Sequence, residues 1–386
     1  MNSLERKELR YQRRKSERME KLQERTDYIG SFEEVFSFSN LYKSYKKCCL
    51  GVGWKASTQY YKSQALLNVN KAYNDVRKPG YKGKGFICFD ATLRGKHRHI
   101  KSVHISERVI QRCFCDYCLV PLFKRHFIYD NAASLKDRGI TFAIDRAKVH
   151  LIQYYREYGK EGYVLQFDIS KFFESINHEY LISQIVPKLI DPRLFALLYR
   201  LIKMFGDKGL GLGSQISQIC ALLFLNELDH LVKDKLGIKF YGRYQDDGYL
   251  IHPDKEYLKK ALVEISFLCD KMGIKLNTKK TQIIHIKKGF TFLKIKFSLT
   301  DSGEVVMRPP SKSITSVRRK LKKFRGWVDT GKFTLKNVYE SFQSWRAYLS
   351  RHSMCNRSIE NVSKLYRQLY GIDPKEVPQS KISGNT

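Results

Sequence analysis

The stretch Ile238-Lys-Phe-Tyr-Gly-Arg-Tyr244-Gln245-Asp246-Asp247-Gly248-Tyr249-Leu-Ile251 decides how the chain reads. Two short runs rich in aromatic and β-branched residues flank a polar Gln-Asp-Asp-Gly, which predicts a β-hairpin with both aspartates at its tip. Turn chemistry alone would account for an Asp-Gly pair, because these residues tolerate positive φ. A third acid ends another strand-like run, Tyr163-Val-Leu-Gln-Phe-Asp168, where it either caps the following turn or faces the hairpin. If the strand and the hairpin share one antiparallel sheet, three carboxylates converge. Such a set would hold two Mg²⁺ ions about 4 Å apart and stabilise both oxygens of an in-line phosphoryl transfer.

These acids stand against the balance of the chain. Its 386 residues carry 71 Lys+Arg against 38 Asp+Glu, a formal charge of +33. A compact chain so charged repels itself unless a polyanion neutralises it, and nucleic acid is the expected partner. With 42% hydrophobic and 13% aromatic residues, a sizeable core is available and wholesale disorder is excluded. No run of about 18 apolar residues occurs, so no membrane span is expected. Met1 to Tyr28 is charged and lacks the apolar centre of a secretory signal. Nine cysteines scattered through a long chain fit reduced thiols and a cytoplasmic location.

Leu4 to Glu24 reads as a basic helix or arm, and a globular region begins near Ser31. Lys78-Pro-Gly-Tyr-Lys-Gly-Lys-Gly85 is a basic loop without the spacing of a phosphate cradle. Ser106 to Phe127 is helical in pattern; its Cys113, Cys115 and Cys118 lack a fourth ligand at zinc spacing. Gln218 to Lys233 and Tyr257 to Met272 read as helices, and Phe290 to Phe297 as one strand. Pro309-Pro310 breaks the chain. Beyond it, Ser316-Val-Arg-Arg-Lys-Leu-Lys-Lys-Phe-Arg-Gly326 predicts a strongly basic helix.

Taken in order, the motifs resemble those of reverse transcriptases, bacterial ones in particular, over roughly residues 95–370. Arg98-His-Ile with Glu107-Arg-Val-Ile-Gln111 is similar to the first fingers motif. Tyr129-Asp-Asn-Ala-Ala-Ser134, with Lys136, Arg138 and Gly139, is similar to the second. Phe167-Asp168-Ile-Ser-Lys-Phe-Phe173 resembles the first catalytic motif, and Tyr244-Gln245-Asp246-Asp247 the Tyr-x-Asp-Asp box. Leu212-Gly213-Ser-Gln-Ile-Ser217-Gln218 resembles the loop and helix under the template and incoming nucleotide. Gly273-Ile-Lys-Leu-Asn-Thr-Lys-Lys280-Thr resembles the motif that follows the box, and Phe292-Leu293 sits where a primer-grip hairpin belongs.

Two departures stand out. Lys294 replaces the glycine of the usual Phe-Leu-Gly, and Leu-Gly-x-x-x-Ser-Gln replaces the usual Gln-Gly-x-x-x-Ser-Pro. The second is similar to the reverse transcriptases of diversity-generating retroelements, which copy a template RNA with errors at adenines and work with a small accessory protein. Defence-associated reverse transcriptases and group II intron-like enzymes are the neighbouring alternatives, and a structured non-coding RNA is the alternative partner to the accessory protein. A polymerase-shaped scaffold that binds RNA without catalysis is the alternative of another class, disfavoured by the complete set of acids.

The resemblance implies an α+β right-hand polymerase: an N-terminal arm (1–30), fingers (31–160), a ferredoxin-like palm with an antiparallel sheet (161–308), a helical thumb (309–372) and a polar tail (373–386). It implies RNA-directed DNA synthesis from a primer and dNTPs. Asp168, Asp246 and Asp247 would be catalytic; together with the Ile169 carbonyl they would bind two Mg²⁺ ions. Arg98, Lys136, Arg138, Phe173, Leu212, Gly213, Gln218 and Lys280 would meet the nucleotide. Arg318, Arg319, Lys320, Lys322 and Lys323 would lie along the template RNA and cDNA backbone.

Overall fold

The computed structural model describes residues 30–376, apart from 94, 95 and 190, together with Leu9, Gln12, Arg13, Ser16 and Glu17. The expected arm (1–30) and tail (373–386) fall almost wholly outside the described residues. Strands β1 (Ile87–Leu93) and β2 (Lys96–Ser102) pair as an antiparallel ribbon. A four-stranded sheet follows, in the order β4-β5-β3-β6: β3 is Tyr163–Asp168, β4 Phe240–Tyr244, β5 Asp247–His252 and β6 Gln282–His285. All its pairings are antiparallel. A third sheet joins β7 (Phe290–Phe292), β8 (Ile295–Leu299) and β9 (Val305–Arg308).

Alternation along β3, β4 and β5 explains how this sheet is held. Leu165, Phe167, Tyr241 and Leu250 point into one core, with Leu258 and Ile265 of the Lys255–Lys271 helix and Leu222 of the Gln215–Phe224 helix. Val164, Phe240, Tyr249 and Ile251 point into a second, with Ala147 and Leu151 of the Ile140–Tyr158 helix and Phe290, Phe292 and Phe297 of the third sheet. A sheet covered on both faces buries successive positions, so Val164 to Phe167 is buried throughout, its one polar residue, Gln166, donating its amide to the Thr291 carbonyl at 2.6 Å. The first core runs unbroken to Phe32 and Val109, so the N-terminal helices and the sheet share their interior.

After Pro309-Pro310 the chain forms three helices, Ser311–Asp329, Leu335–His352 and Asn356–Tyr370, around a separate core of Val317, Leu321, Phe324, Val338, Phe342 and Tyr366. Pro310 is the residue at which the first of them starts, as the sequence break suggests. Among the described residues, no helix is long and apolar enough to cross a membrane. All nine cysteines are free thiols, and Cys113, Cys115 and Cys118 are buried.

Three local expectations are corrected. The loop between β4 and β5 is Gln245-Asp246 alone; Asp247 and Gly248 lie in β5. Gly248 is opposite Phe167, and a Cβ there would sit 2.4 Å from the phenylalanine ring, so the glycine serves cross-strand packing and not the turn. Phe290 to Phe297 is two strands, folded at Leu293 and Lys294 with φ of 47° and 64°. Gln218 to Lys233 is also not one helix: Gln215–Phe224 ends near Leu225, and Asn226–His230 and a wider turn, Leu231–Lys235, follow.

Candidate active site

The strand register brings the three acids together. Asp168, the last residue of β3, is paired with Asp247, the first of β5, and Asp246 adjoins it in the turn. Gln245 adopts φ 55°, a left-handed conformation that costs a non-glycine residue stability unless its surroundings enforce it. Arg243 does so. Its Nη1 donates to the Gln245 carbonyl at 2.8 Å, while Nε and Nη2 donate to the two carboxylate oxygens of Asp229 at 2.7 and 2.5 Å. Tyr241 donates its hydroxyl to the same carboxylate at 2.6 Å. Arg243 and Asp229 are fully buried, so this bidentate pair is shielded from water and salt. The backbone of Arg243 also bonds with the 130–132 segment, through Asp130 O and Ala132 N.

The opposite side of the site is built by the segment after the Lys255–Lys271 helix. Asn277 donates its backbone N–H to the Asp168 carbonyl at 2.7 Å and its side-chain amide to Oδ1 at 3.3 Å. Lys280 forms an ion pair with Asp168. Ile169 is buried and bridged to Leu276. Burial, then the negative charges of Asp168 and Asp246, push Asp247 up to about 7, against the pull of Lys280 and of the Leu293 N–H that bonds to it. Burial and Asp168 likewise raise Asp246, while its own backbone N–H, Lys280 and Arg98 oppose the shift. Carboxylates held above their ordinary range by burial and by one another are short of positive charge, and an all-oxygen set of this kind suits a hard dication. As the side chains stand, Lys280 supplies charge at Asp168. Among the described residues no three His, Cys, Asp or Glu side chains form a metal-holding group.

The other expected residues divide. Arg98, on β2, is close enough to act on Asp246. The Leu212 carbonyl accepts from Lys101 N–H at 3.0 Å, laying this loop beside β2. Gly213 has φ 112°, and a Cβ there would lie 3.1 Å from the Lys101 carbonyl, so the close approach requires glycine. Gln218 is joined to the hairpin turn through Ser134. Phe173 is half-buried beside Phe172, and its carbonyl accepts from Leu210 N–H at 2.6 Å. Arg138 donates to the carbonyls of Ile128 and Asn131, which commits its guanidinium to bracing that loop. Lys136 is exposed. Arg318, Arg319, Lys320, Lys322 and Lys323 are all exposed on the Ser311–Asp329 helix, with Lys320 bonded to Ser341.

The signature of the reverse transcriptase (RNA-dependent DNA polymerase) family matches residues 76–297, more than half of the chain. The chain belongs to the reverse transcriptase family. It is 24% identical over 241 residues to Protein YkfC of Escherichia coli (strain K12), a match covering 52% of this chain and 62% of that protein. The chain thus spans less than two thirds of that relative. Among solved structures it is similar to telomerase from Candida albicans in complex with a fragment of telomeric RNA (TM-score 0.46, 12% identity, 82% of this chain and 64% of that one). It is also similar to apo telomerase from Candida tropicalis (TM-score 0.45, 14% identity, 81% and 66%). The reverse transcriptase segment contains Arg98, all three acids, the 212–218 loop and helix, Lys280 and the Leu293 turn, whereas the basic Ser311–Asp329 helix lies beyond it. The fold is accordingly the right hand, with the four-stranded antiparallel sheet as its palm.

Arg243 and Asp229 brace this arrangement without having been singled out in the sequence, whereas Ser134 and Leu293 lie within motifs already quoted. A lone arginine inside the apolar run Phe240 to Tyr244 was the available signal, because a charge in a buried strand must find a partner. Leu293 acts through its backbone, and the Tyr348 hydroxyl of the Leu335–His352 helix donates to its carbonyl, linking thumb to palm. At Lys294 (φ 64°) the strain is intrinsic to the residue type. Lys294→Gly is expected to raise stability by about 1 kcal/mol. Urea unfolding checks this, and an unchanged or lowered midpoint contradicts it.

Proposed function

We propose that this chain is an active RNA-directed DNA polymerase whose chemistry occurs at Asp168, Asp246 and Asp247. The observation that carries the reading is the β3–β5 register, which sets Asp168 across from Asp247 beside Asp246 within the family segment. The primer 3′-hydroxyl oxygen would bond to the α-phosphorus of a dNTP, losing its proton, as the bond from that phosphorus to pyrophosphate breaks. Asp168, Asp246 and the Ile169 carbonyl would hold two Mg²⁺ ions, with Asp247 in the same site; bound ions would supply positive charge to the phosphate oxygens in the transition state. Lys280, already paired to Asp168, would be placed to meet the departing pyrophosphate, and Arg98 the triphosphate. The exposed cations of the Ser311–Asp329 helix would follow the template–cDNA backbone without reading sequence. Lys136 and Arg138 would contribute less directly, Arg138 by shaping its loop.

Phe173 would sit under the sugar of the incoming nucleotide, where its ring leaves no room for a 2′-hydroxyl. Phe173→Ala is expected to raise ribonucleotide use relative to deoxyribonucleotide use by about tenfold or more, the effect of relieving a clash worth at least 1.4 kcal/mol. Competition between ATP and dATP in primer extension measures it. Unchanged discrimination in an active variant would place the gate elsewhere.

Within the polymerase reading, we assign the chain to the diversity-generating type, with a cytoplasmic template RNA and a small accessory protein as partners. Leu212 carries this assignment. Leucine offers shape but neither donor nor acceptor beside the nascent base pair. The missing polar contact is worth on the order of 1 kcal/mol, so fidelity suffers before rate does. Sequencing of cDNA made on a defined RNA is expected to show errors concentrated opposite adenines, and Leu212→Gln to lower them about fivefold. Few, evenly spread errors in the wild type would favour a defence or intron-type enzyme.

A further inference from the structure

Three residues from separate motifs meet at the hairpin turn. Ser134 Oγ donates to Gln218 Oε1 at 3.2 Å and accepts from Gln245 Nε2 at 2.9 Å. One hydroxyl thus uses its donor and an acceptor site to join a fingers loop, the 215–224 helix and the residue preceding Asp246. Ser134 (φ 53°) and Gln245 (φ 55°) are both left-handed, so two strained backbones are held facing each other across this contact. Gln218 stands where the usual motif has proline, which has no side-chain acceptor for Ser134. Ser134 and Gln218 are exposed, so water competes with the relay until something covers it.

We propose that Ser134, Gln218 and Gln245 form a positioning relay that couples the fit of the incoming base pair to the placement of the hairpin carrying Asp246 and Asp247, and so sets nucleotide selectivity. This rests on the polymerase reading above. A well-formed pair lying over Ser134 and Gln218 excludes water and tightens both bonds; a misfit leaves the site wet, the relay loose and the turn misplaced. The three are positioning residues, acting through the aspartates.

The test uses the full chain and four variants. Ser134→Gly removes the hydroxyl while accepting the left-handed backbone without strain. Gln218→Ala removes the acceptor, and the double variant closes the cycle. Ser134→Asn restores a donor and an acceptor on a residue that tolerates positive φ. Each single loss is expected to raise the ratio of wrong to right kcat/KM about fivefold, chiefly through a lower kcat for the correct dNTP. The double variant should do no more than the larger single one, and Ser134→Asn should recover part of the loss. Amide exchange over residues 245–247, read without substrate, should quicken severalfold in Ser134→Gly. Multiplying single effects, an unchanged ratio, a rise in KM alone, or unchanged exchange would each overturn the relay. If the wild-type chain incorporates no dNTP, the polymerase reading fails and the selectivity role with it, while exchange still decides whether Ser134 restrains the turn.

Discussion

Alanine at Asp246 is expected to reduce dNTP incorporation by about a thousandfold or more. The carboxylate belongs to a group of three in which burial, and then the neighbouring negative charges, raise the protonation range of Asp246 and Asp247. Such a group is costly to assemble and gains from concentrating positive charge on a phosphate in reaction. Stabilisation of several kcal/mol depends on that charge, and each 1.36 kcal/mol is tenfold in rate. Asp168→Ala and Asp247→Ala should behave alike. RNA binding should survive in all three, because a chain of +33 carries its affinity on basic surfaces away from the acids. Single-turnover extension read beside filter binding separates the two effects. Near wild-type extension by any of these variants would remove that residue from the chemistry.

The second large effect is expected behind the hairpin. Arg243→Met leaves Asp229 buried with, among the described residues, the Tyr241 hydroxyl as its side-chain partner, and breaking one side of a buried pair costs about 3–5 kcal/mol. Replacing both, as in Arg243→Met with Asp229→Leu, removes the stranded charge and should recover most of that loss. The double variant still lacks the donor to the Gln245 carbonyl, so it should fold yet extend primers more slowly than wild type. Denaturant unfolding of the three variants checks the first part and extension the second. A loss below about 1 kcal/mol in Arg243→Met would mean that the pair is not buried in solution.

What could be read from the sequence follows from where the physics is local. Tyr163 to Asp168 was legible because a strand covered on both faces is a mostly apolar run rich in strand formers, and its terminal acid stood out in a basic chain. Asp246 and Asp247 were legible for the same reason. The loop size was not, because Asp247-Gly248 carries the signature of a turn while Gly248 is needed to clear the Phe167 ring. The fold at Leu293 and Lys294 was legible only through the primer-grip resemblance of Phe292-Leu293, because neither residue type advertises a left-handed backbone. Asp229 was invisible as a partner of Arg243 because its helix meets β4 only in three dimensions. The Leu293 N–H that reaches Asp247 has no side-chain signal at all. The relation of Asp168 to Asp247 was therefore readable in outline, whereas the residues that hold them in place were not.

Incubation of the purified chain with an RNA template, an annealed DNA primer, dNTPs and Mg²⁺ tests the central claim most directly. The account predicts primer extension in the order dictated by the template, abolished by Asp246→Ala and by chelation. Tight RNA binding with no nucleotide added to the primer would contradict it, and would leave a polymerase-shaped RNA-binding protein in its place.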